Sequence, residues 1–270
     1  MKHRFFTILM CLLFLTFSVT IAMAVLEDGL LGYWPLDAGS GTIAHDVTGN
    51  GHNGILDNGP DWVVAADAKV GASAILFDGT DDLVSIDSFD VTGGDGITIA
   101  CWFKASNLDT PGNDPRMVSK AVGGNNEDHW FMMSSSRVND IKRIRFRLRT
   151  DDEVTGELKA DTLGTIELDV WIHSTVTWDG ATMMIYKNAE LVGTLGKPGS
   201  SVAADSTVGM AIGNQPDGAE NRPFDGIIDD VAIWNRPLSQ EEIAEMMNNS
   251  IPYSVEPVAK LSTTWGMIKY

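Results

Sequence analysis

Alternation of apolar and polar residues with a period of two is the feature of this sequence that most restricts its fold. The clearest run covers residues 143–149, where Ile144, Phe146 and Leu148 alternate with four arginines. Successive side chains of a β-strand point to opposite faces, so this run predicts a strand with one apolar face and one face of arginines. Similar runs occur at residues 97–104, 170–179, 183–186 and 227–234. The sequence therefore predicts a protein built mainly of antiparallel β-strands.

A short helix is predicted near the carboxyl end of the chain. Ser239 and Glu242 are spaced as a capping box, in which each side chain accepts a hydrogen bond from the other residue's backbone N–H. Ile243 and Met246 then begin an apolar stripe. Many strands, one short helix and no strand–helix–strand alternation indicate an all-β fold, a two-sheet antiparallel jelly-roll sandwich.

The domain organisation follows from the absence of internal repeats and of linkers rich in proline, glycine or serine. We predict one domain over residues 25–247, preceded by an export segment over residues 1–24. Residues 248–270 differ from the rest, with prolines at 252 and 257 and a short apolar end. We treat them as a C-terminal tail of unknown role.

The first 24 residues have the pattern of a secretory signal peptide. A basic start at residues 2–4 precedes an apolar run over residues 5–21, and residues 22–24 (Ala-Met-Ala) give the small-x-small pattern of a cleavage site. The run is barely long enough to span a membrane and no basic cluster follows it, which argues against a membrane anchor. We therefore expect cleavage near Ala24 and a mature chain that is not inserted in the membrane. It would be secreted or extracytoplasmic, in a periplasm or at a cell surface.

Charge and cysteine content exclude some partners and one kind of cross-link. The chain carries a formal net charge of −18, and phosphate recognition needs a basic face, so we expect no nucleic-acid partner. Cys101 is the single cysteine left after cleavage of the signal peptide, which excludes an intramolecular disulfide. Its place within an apolar alternation predicts a buried structural thiol.

No pattern of residues indicates catalysis. A retaining glycoside hydrolase needs two carboxyl groups about 5 Å apart, which on one strand requires acids on the same face. Near Glu167 and Asp169, the position that the second acid would need is occupied by Trp171. No serine-nucleophile elbow or zinc-ligand spacing is present, and His173 is expected to be a surface or packed structural residue. We therefore predict no catalytic residues and a protein that is not an enzyme.

Segments at both ends of the predicted domain carry a family resemblance. Residues 32–37 (GYWPLD) and 46–54 (DVTGNGHNG) stand at its start, and residues 224–239 (FDGIIDDVAIWNRPLS) at its end. Together with intermediate segments in the same order, they resemble LamG-like (laminin G-like), concanavalin A-type jelly-roll domains over nearly all of residues 29–247. The resemblance implies two stacked antiparallel sheets and a secreted, non-catalytic binding module. Its partner would be a glycan or an extracellular protein.

Two other functions remain open from the sequence. The same overall fold hosts glycoside hydrolases, so a polysaccharide-degrading enzyme is one alternative, supported mainly by analogy of fold. A structural or adhesive surface component is the other alternative.

The loop over residues 46–54 is the most suggestive segment for metal binding. Asp46 and Asn50 offer side-chain oxygens, and three glycines let the backbone bend around a hard cation. An ordinary Asn-Gly turn explains the same residues, because both tolerate left-handed backbone. The LamG-like resemblance implies a Ca²⁺ that ties the amino-terminal segment to the last strand, in which case Asp37 and Asp229 would join Asp46 and Asn50. We predict a single structural Ca²⁺ held by these four residues.

The four arginines of residues 143–149 allow two interpretations. In the favoured one they form a solvated strand paired with neighbouring acids such as Asp151, which would contribute little to stability. In the other they line a groove for an anionic ligand, such as a sulfated or uronic-acid glycan, with Arg145 and Arg147 as its guanidinium contacts. Five tryptophans are candidate platforms for sugar rings, of which we expect one or two to be exposed: Trp102, Trp130, Trp171, Trp178 and Trp234.

Overall fold

The computed structural model describes residues 26–216 and 221–251. The predicted signal peptide (residues 1–24) and most of the predicted tail (residues 252–270) lie outside the described residues. Within the described part of the chain there is no helix long and apolar enough to cross a membrane.

The described residues form sixteen β-strands and one helix of more than a single turn. In chain order these are β1 (Leu30–Trp34), β2 (Ile43–Ala44), β3 (Gly54–Asp57), β4 (Asp61–Val64), β5 (Ser73–Asp78), β6 (Leu83–Ile86), β7 (Ile97–Asn107), β8 (Arg116–Ala121), β9 (His129–Val138), β10 (Ile141–Arg149), β11 (Thr155–Lys159), β12 (Ile172–Trp178), β13 (Thr182–Lys187), β14 (Glu190–Gly196), β15 (Met210–Ile212), β16 (Asp225–Trp234) and the helix α1 (Gln240–Asn249).

The strands are arranged in two antiparallel sheets that stack as a sandwich. Sheet A has the order β14-β13-β12-β7-β16-β5-β4, and β1 also pairs with β16. Sheet B has the order β11-β10-β9-β8-β15-β6-β3-β2. The predicted all-β jelly-roll sandwich is confirmed.

The main core lies between the sheets and is built by the alternation seen in the sequence. Ile99, Cys101 and Phe103 of β7 are fully buried there, together with Ile144 and Phe146 of β10. Burial raises the pKa of the Cys101 thiol, as expected for a structural cysteine.

A second apolar cluster covers the outer face of sheet A. Ile243 and Met246 of α1 pack in this cluster with Tyr33 of β1 and Trp234 of β16. The helix begins with the predicted capping box, since Ser239 and Glu242 exchange hydrogen bonds between side chains and backbone. The predicted domain boundary at residue 247 falls inside α1.

Candidate functional site

The arginines of β10 lie on the outer face of sheet B, between β9 and β11. Arg145 lies opposite Ser134 of β9 and Lys159 of β11, and Arg147 lies opposite Glu157 of β11. The apolar residues that alternate with the arginines are buried between the sheets. The strand therefore presents all four arginines to one face, as the alternation predicts.

Three of the four arginines are paired with carboxylates. The nitrogen–oxygen distances are 2.5 Å from Arg145 to Asp114, 3.2 Å from Arg145 to Glu157, 3.1 Å from Arg147 to Glu157 and 3.5 Å from Arg149 to Glu153. These pairs hold the guanidinium groups in place across neighbouring segments of the sheet.

The pairing differs from the solvated strand favoured by the sequence. The Arg145 side chain is only 7% exposed, and its Nε also donates to the hydroxyl of Ser134. Asp151, the expected partner, instead accepts hydrogen bonds from the backbone of Ser200 and Ser201. Arg145 and Arg147 are thus held in the sheet, because Glu157 of β11 and Asp114 of the loop before β8 reach them.

A further cationic side chain lies beside the arginines of β10. Arg116 of β8 is almost fully buried, and its Nη2 donates to His129 Nε2 at 3.1 Å. His129 Nδ1 donates to the carbonyl of Asn125 at 2.7 Å, which assigns the neutral tautomer. Burial and the charge of Arg116 lower the pKa of His129 to about 4. Sequence analysis missed this group because no motif links the two residues.

A groove of about 570 Å³ opens between the edge strands β11 and β14. Arg143 and Lys159 provide its cationic groups, Asp161 provides a carboxylate, and Leu158 and Leu191 provide apolar walls. Arg143 Nη1 lies 3.4 Å from a backbone carbonyl in the groove, while its Nε is buried without a hydrogen-bond partner in the described residues. The groove therefore combines apolar surface with positive charge.

Two of the four predicted calcium ligands accept hydrogen bonds from the same backbone segment, residues 69–73. Asp229 of β16 is fully buried, and its Oδ2 accepts the N–H groups of Lys69 and Val70 at 2.9 Å. Its Oδ1 is buried with no hydrogen-bond partner within the described part of the chain. Asp37 accepts the N–H groups of residues 72 and 73. Burial raises the pKa of Asp229 to about 7, and the charges of Asp230 and Asp37 contribute to the increase.

The other two predicted ligands, Asp46 and Asn50, belong to a hydrogen-bonded turn. The carboxylate of Asp46 accepts the N–H groups of Tyr33, Thr48 and His52, while the Asn50 amide donates to the Leu31 carbonyl. Within residues 26–216 and 221–251, the oxygens of Asp37, Asp46 and Asp229 do not form a group within 4.8 Å. The four-residue Ca²⁺ site therefore stays a prediction, and Asp46 and Asn50 already take part in the hydrogen bonds of their own turn.

Sequence analysis missed a different cluster of acids. Asp78, Asp81 and Asp82 bring carboxylate oxygens within 4.8 Å of one another, in a turn after β5. Asp82 is buried and accepts the N–H of Asp78, and burial raises the pKa of Asp82. Three acids within five residues were the available signal.

The remaining candidates divide into buried and half-exposed side chains. His173 is buried with its ring edge against Trp102, and burial lowers its pKa to about 3, so it is a packed structural residue. Trp171 is half-exposed, with the Lys104 ammonium 5.5 Å from its ring centroid. The other four candidate platforms are buried: Trp102, Trp130, Trp178 and Trp234.

The sequence of the sandwich matches a known protein family over more than half of its length. The family model Laminin_G_3, described as the concanavalin A-like lectin/glucanases superfamily, matches residues 78–244. The chain belongs to this family. The matched part of this LamG-like domain includes the four arginines of β10, the groove and Asp229. The match confirms the resemblance inferred from the sequence.

Two curated proteins share sequence with this LamG-like chain. Human adhesion G-protein coupled receptor D1 is 27% identical over 220 residues, which cover 78% of this chain and 22% of the receptor. Mouse pappalysin-1 is 23% identical over 185 residues, which cover 65% of this chain and 11% of that protein. The chain therefore spans less than a quarter of the length of either relative.

Solved structures share the fold at low sequence identity. Domain 4 of AbnA, an extracellular GH43 arabinanase from Geobacillus stearothermophilus solved in complex with arabinotriose, has a TM-score of 0.59 and 17% identity, with 81% of this chain and 98% of that domain covered. The binding domain of botulinum neurotoxin serotype D has a TM-score of 0.60 and 13% identity, with 82% of this chain and 52% of that chain covered.

Proposed function

We propose that this chain is a secreted, non-catalytic module that binds a glycan. The observation that carries the proposal is the likeness to domain 4 of the arabinanase, which is covered almost completely and was solved with arabinotriose. That domain supplies the class of ligand, an oligosaccharide, and not the identity of the sugar bound here. The family match supports the same class, since the family's description includes lectins.

Two surfaces offer the chemistry that sugars require. Trp171 is a half-exposed residue with the Lys104 ammonium over its ring, and its aromatic side chain is a candidate surface for stacking on the apolar face of a sugar. The groove between β11 and β14 provides a concave surface of a volume typical of small-ligand sites.

The acids of the structure support the absence of catalysis. The residues that line the groove include one carboxylate, Asp161, whereas glycoside hydrolysis uses a pair. The clustered acids Asp78, Asp81 and Asp82 lie together in one turn and do not line the groove.

Incubation with a panel of polysaccharides tests binding against cleavage. We expect retention on at least one immobilised glycan and no release of reducing ends. Replacement of Trp171 by alanine should weaken retention several-fold if the ring stacks on sugar, whereas the exposed neighbour Val170→Ala serves as a matched control. Clear turnover that disappears on replacement of one Asp or Glu would overturn the proposal in favour of a glycan-cleaving enzyme.

A protein partner is the second candidate. It is supported by the likeness to a neurotoxin binding domain and by the sequence match to an adhesion receptor. Specific retention on an array of extracellular proteins, with no retention on glycans, would favour this candidate.

We also propose that the domain binds one structural Ca²⁺ through Asp37 and Asp229. One support is the buried Asp229 Oδ1, an oxygen without a hydrogen-bond partner among the described residues. The other is that Asp37 and Asp229 both accept hydrogen bonds from the backbone of residues 69–73. Oxygen donors of this kind suit a hard cation, which would neutralise the carboxylates.

A further inference from the structure

Arg143 differs from the other arginines of β10 in its partners. Arg145, Arg147 and Arg149 each have a carboxylate within ion-pair distance, as described above. Among the described residues, Arg143 has no carboxylate within 4.0 Å; its contact is the Ala160 carbonyl, at 3.4 Å. Among the described residues, the strand therefore carries three guanidinium groups with a carboxylate within ion-pair distance and one, that of Arg143, without.

The uncompensated arginine lies in the groove described above. Arg143 and Lys159 face one carboxylate there, Asp161, whose Oδ1 already accepts the N–H of Leu163 at 2.7 Å. The Lys159 side chain is 40% exposed, and its ammonium lies 3.4 Å from the Glu157 carboxylate. The polar part of the groove is consequently cationic, in a chain with a net charge of −18.

The walls of the groove determine what kind of anion fits. Leu158 and Leu191 supply apolar surface, and Gly193 lies close to the Ala160 backbone, since a Cβ there would be 3.3 Å from the Ala160 Cα. A small inorganic anion would use none of this surface. A pyranose ring bearing a carboxylate or sulfate group would use both parts, with C–H groups on the apolar wall and the anion on the guanidinium.

We propose that this groove binds an acidic sugar unit of a glycan, and that Arg143 binds its carboxylate or sulfate group. The inference rests on the proposed glycan-binding function and narrows it to acidic saccharides. It also moves the ligand contact away from Arg145 and Arg147. Their guanidinium groups are held by Asp114 and Glu157, so they act as structural ion-pair partners.

Calorimetric titration of the full chain with three oligosaccharides tests the inference. The probes are trigalacturonate for the carboxylate, a sulfated galactan oligosaccharide for the sulfate, and arabinotriose as the neutral comparison. We expect one acidic probe to bind in a salt-dependent manner and Arg143→Gln to weaken it at least tenfold. Arg149→Gln is the matched control, because Arg149 is on the same strand and face but is paired with Glu153; its affinity should stay within twofold of the wild type.

Lys159→Gln serves as a second variant in case Arg143→Gln fails to fold. The Lys159 side chain is partly exposed, so its replacement should leave folding intact and still weaken the acidic probe several-fold. An unchanged affinity in folded Arg143→Gln, or binding of arabinotriose alone, would overturn the inference and leave the proposed glycan-binding function standing. Failure of all three probes, together with no retention on any immobilised glycan, would overturn both.

Discussion

Arg145 contacts a different partner with each of its side-chain nitrogens. Nε donates to Ser134, Nη1 to Glu157 and Nη2 to Asp114. Such a side chain is fully engaged, although its sequence environment is the same as that of an exposed arginine. At the scale of single residues, the function of a charged group in this protein depends on which carboxylate reaches it.

Replacement of Arg145 by glutamine should destabilise the fold. The change leaves Asp114, which is 18% exposed, with one fewer cation, and breaking a largely buried pair costs about 3 kcal/mol. Urea unfolding should show this decrease in the free energy of unfolding. The control is Arg137→Gln, whose pair with Asp109 is solvent-exposed and is expected to contribute less than about 1 kcal/mol. Equal effects of the two variants would contradict the prediction.

His129 should make stability depend on pH. Its pKa in the folded protein is about 4, below the ordinary value of 6.5, because it is buried beside Arg116. Between these values the unfolded chain binds a proton that the folded chain does not. The stabilisation is therefore complete above about pH 6.5 and decreases as the pH falls towards 4, by about 3 kcal/mol at most.

Urea unfolding at pH 7.5 and pH 4.5 measures this dependence. In His129→Gln the difference between the two pH values should be smaller than in the wild type, whatever the variant's stability at pH 7.5. An identical difference in both proteins would show that His129 does not carry this part of the pH dependence.

At the scale of elements, strands with strict alternation could be predicted from the sequence. The cores of β7, β10 and β16 and the capping box of α1 agree with their sequence patterns. Strands β8 and β9 were missed, because they bury residues that do not signal a strand, such as Arg116, Lys120 and Ser134. These strands lie inside sheet B, where their neighbours satisfy the polar groups.

The sequence predicts a candidate site only where its residues lie close together in the chain, and not where distant segments bring them together. The loop at residues 46–54 reads as a turn or as a cation site, and the choice depends on backbone groups of other segments. Arg143 and Arg145 are equivalent in the sequence pattern. They differ because a carboxylate approaches Arg145 while an open groove lies beside Arg143, and both facts depend on tertiary packing.

The helix α1 provides a prediction at this scale. Replacement of Ser239 by alanine removes the side chain that accepts the Glu242 N–H at 3.2 Å, and loss of such a cap costs about 1 kcal/mol. Thermal unfolding should show a decrease of a few degrees. Ser206→Ala, in an exposed turn, is the matched control and should leave the melting temperature unchanged. A melting temperature equal to the wild type in Ser239→Ala would mean that α1 does not unfold with the sheets.

At the scale of the whole molecule, the proposed Ca²⁺ would link distant parts of the chain. A ligand that binds only the folded state adds about 2.7 kcal/mol of stability at a hundredfold excess over Kd. The melting temperature should therefore rise with Ca²⁺ and fall with EDTA, and Asp229→Asn or Asp37→Asn should remove this response. Asp46→Ala should lower the melting temperature but leave its response to Ca²⁺ and EDTA unchanged, because Asp46 is engaged in its own turn. A wild-type melting temperature that is indifferent to chelation would contradict the proposal.

The last strand of the sandwich holds two earlier strands along one edge. Residues 225–228 of β16 pair with β5 and residues 231–234 pair with β1, while the opposite edge is occupied by β7. Sheet A therefore lacks one of its inner strands until residues 225–234 have been synthesised, after all the strands that pair with it. Pairings between strands so distant in sequence form slowly, and until they form the earlier strands keep unpaired backbone N–H and C=O groups at their edges. The pairing of β16 is therefore expected to be a late step in the folding of sheet A, and the chain that has not yet formed these pairings is the form most exposed to aggregation.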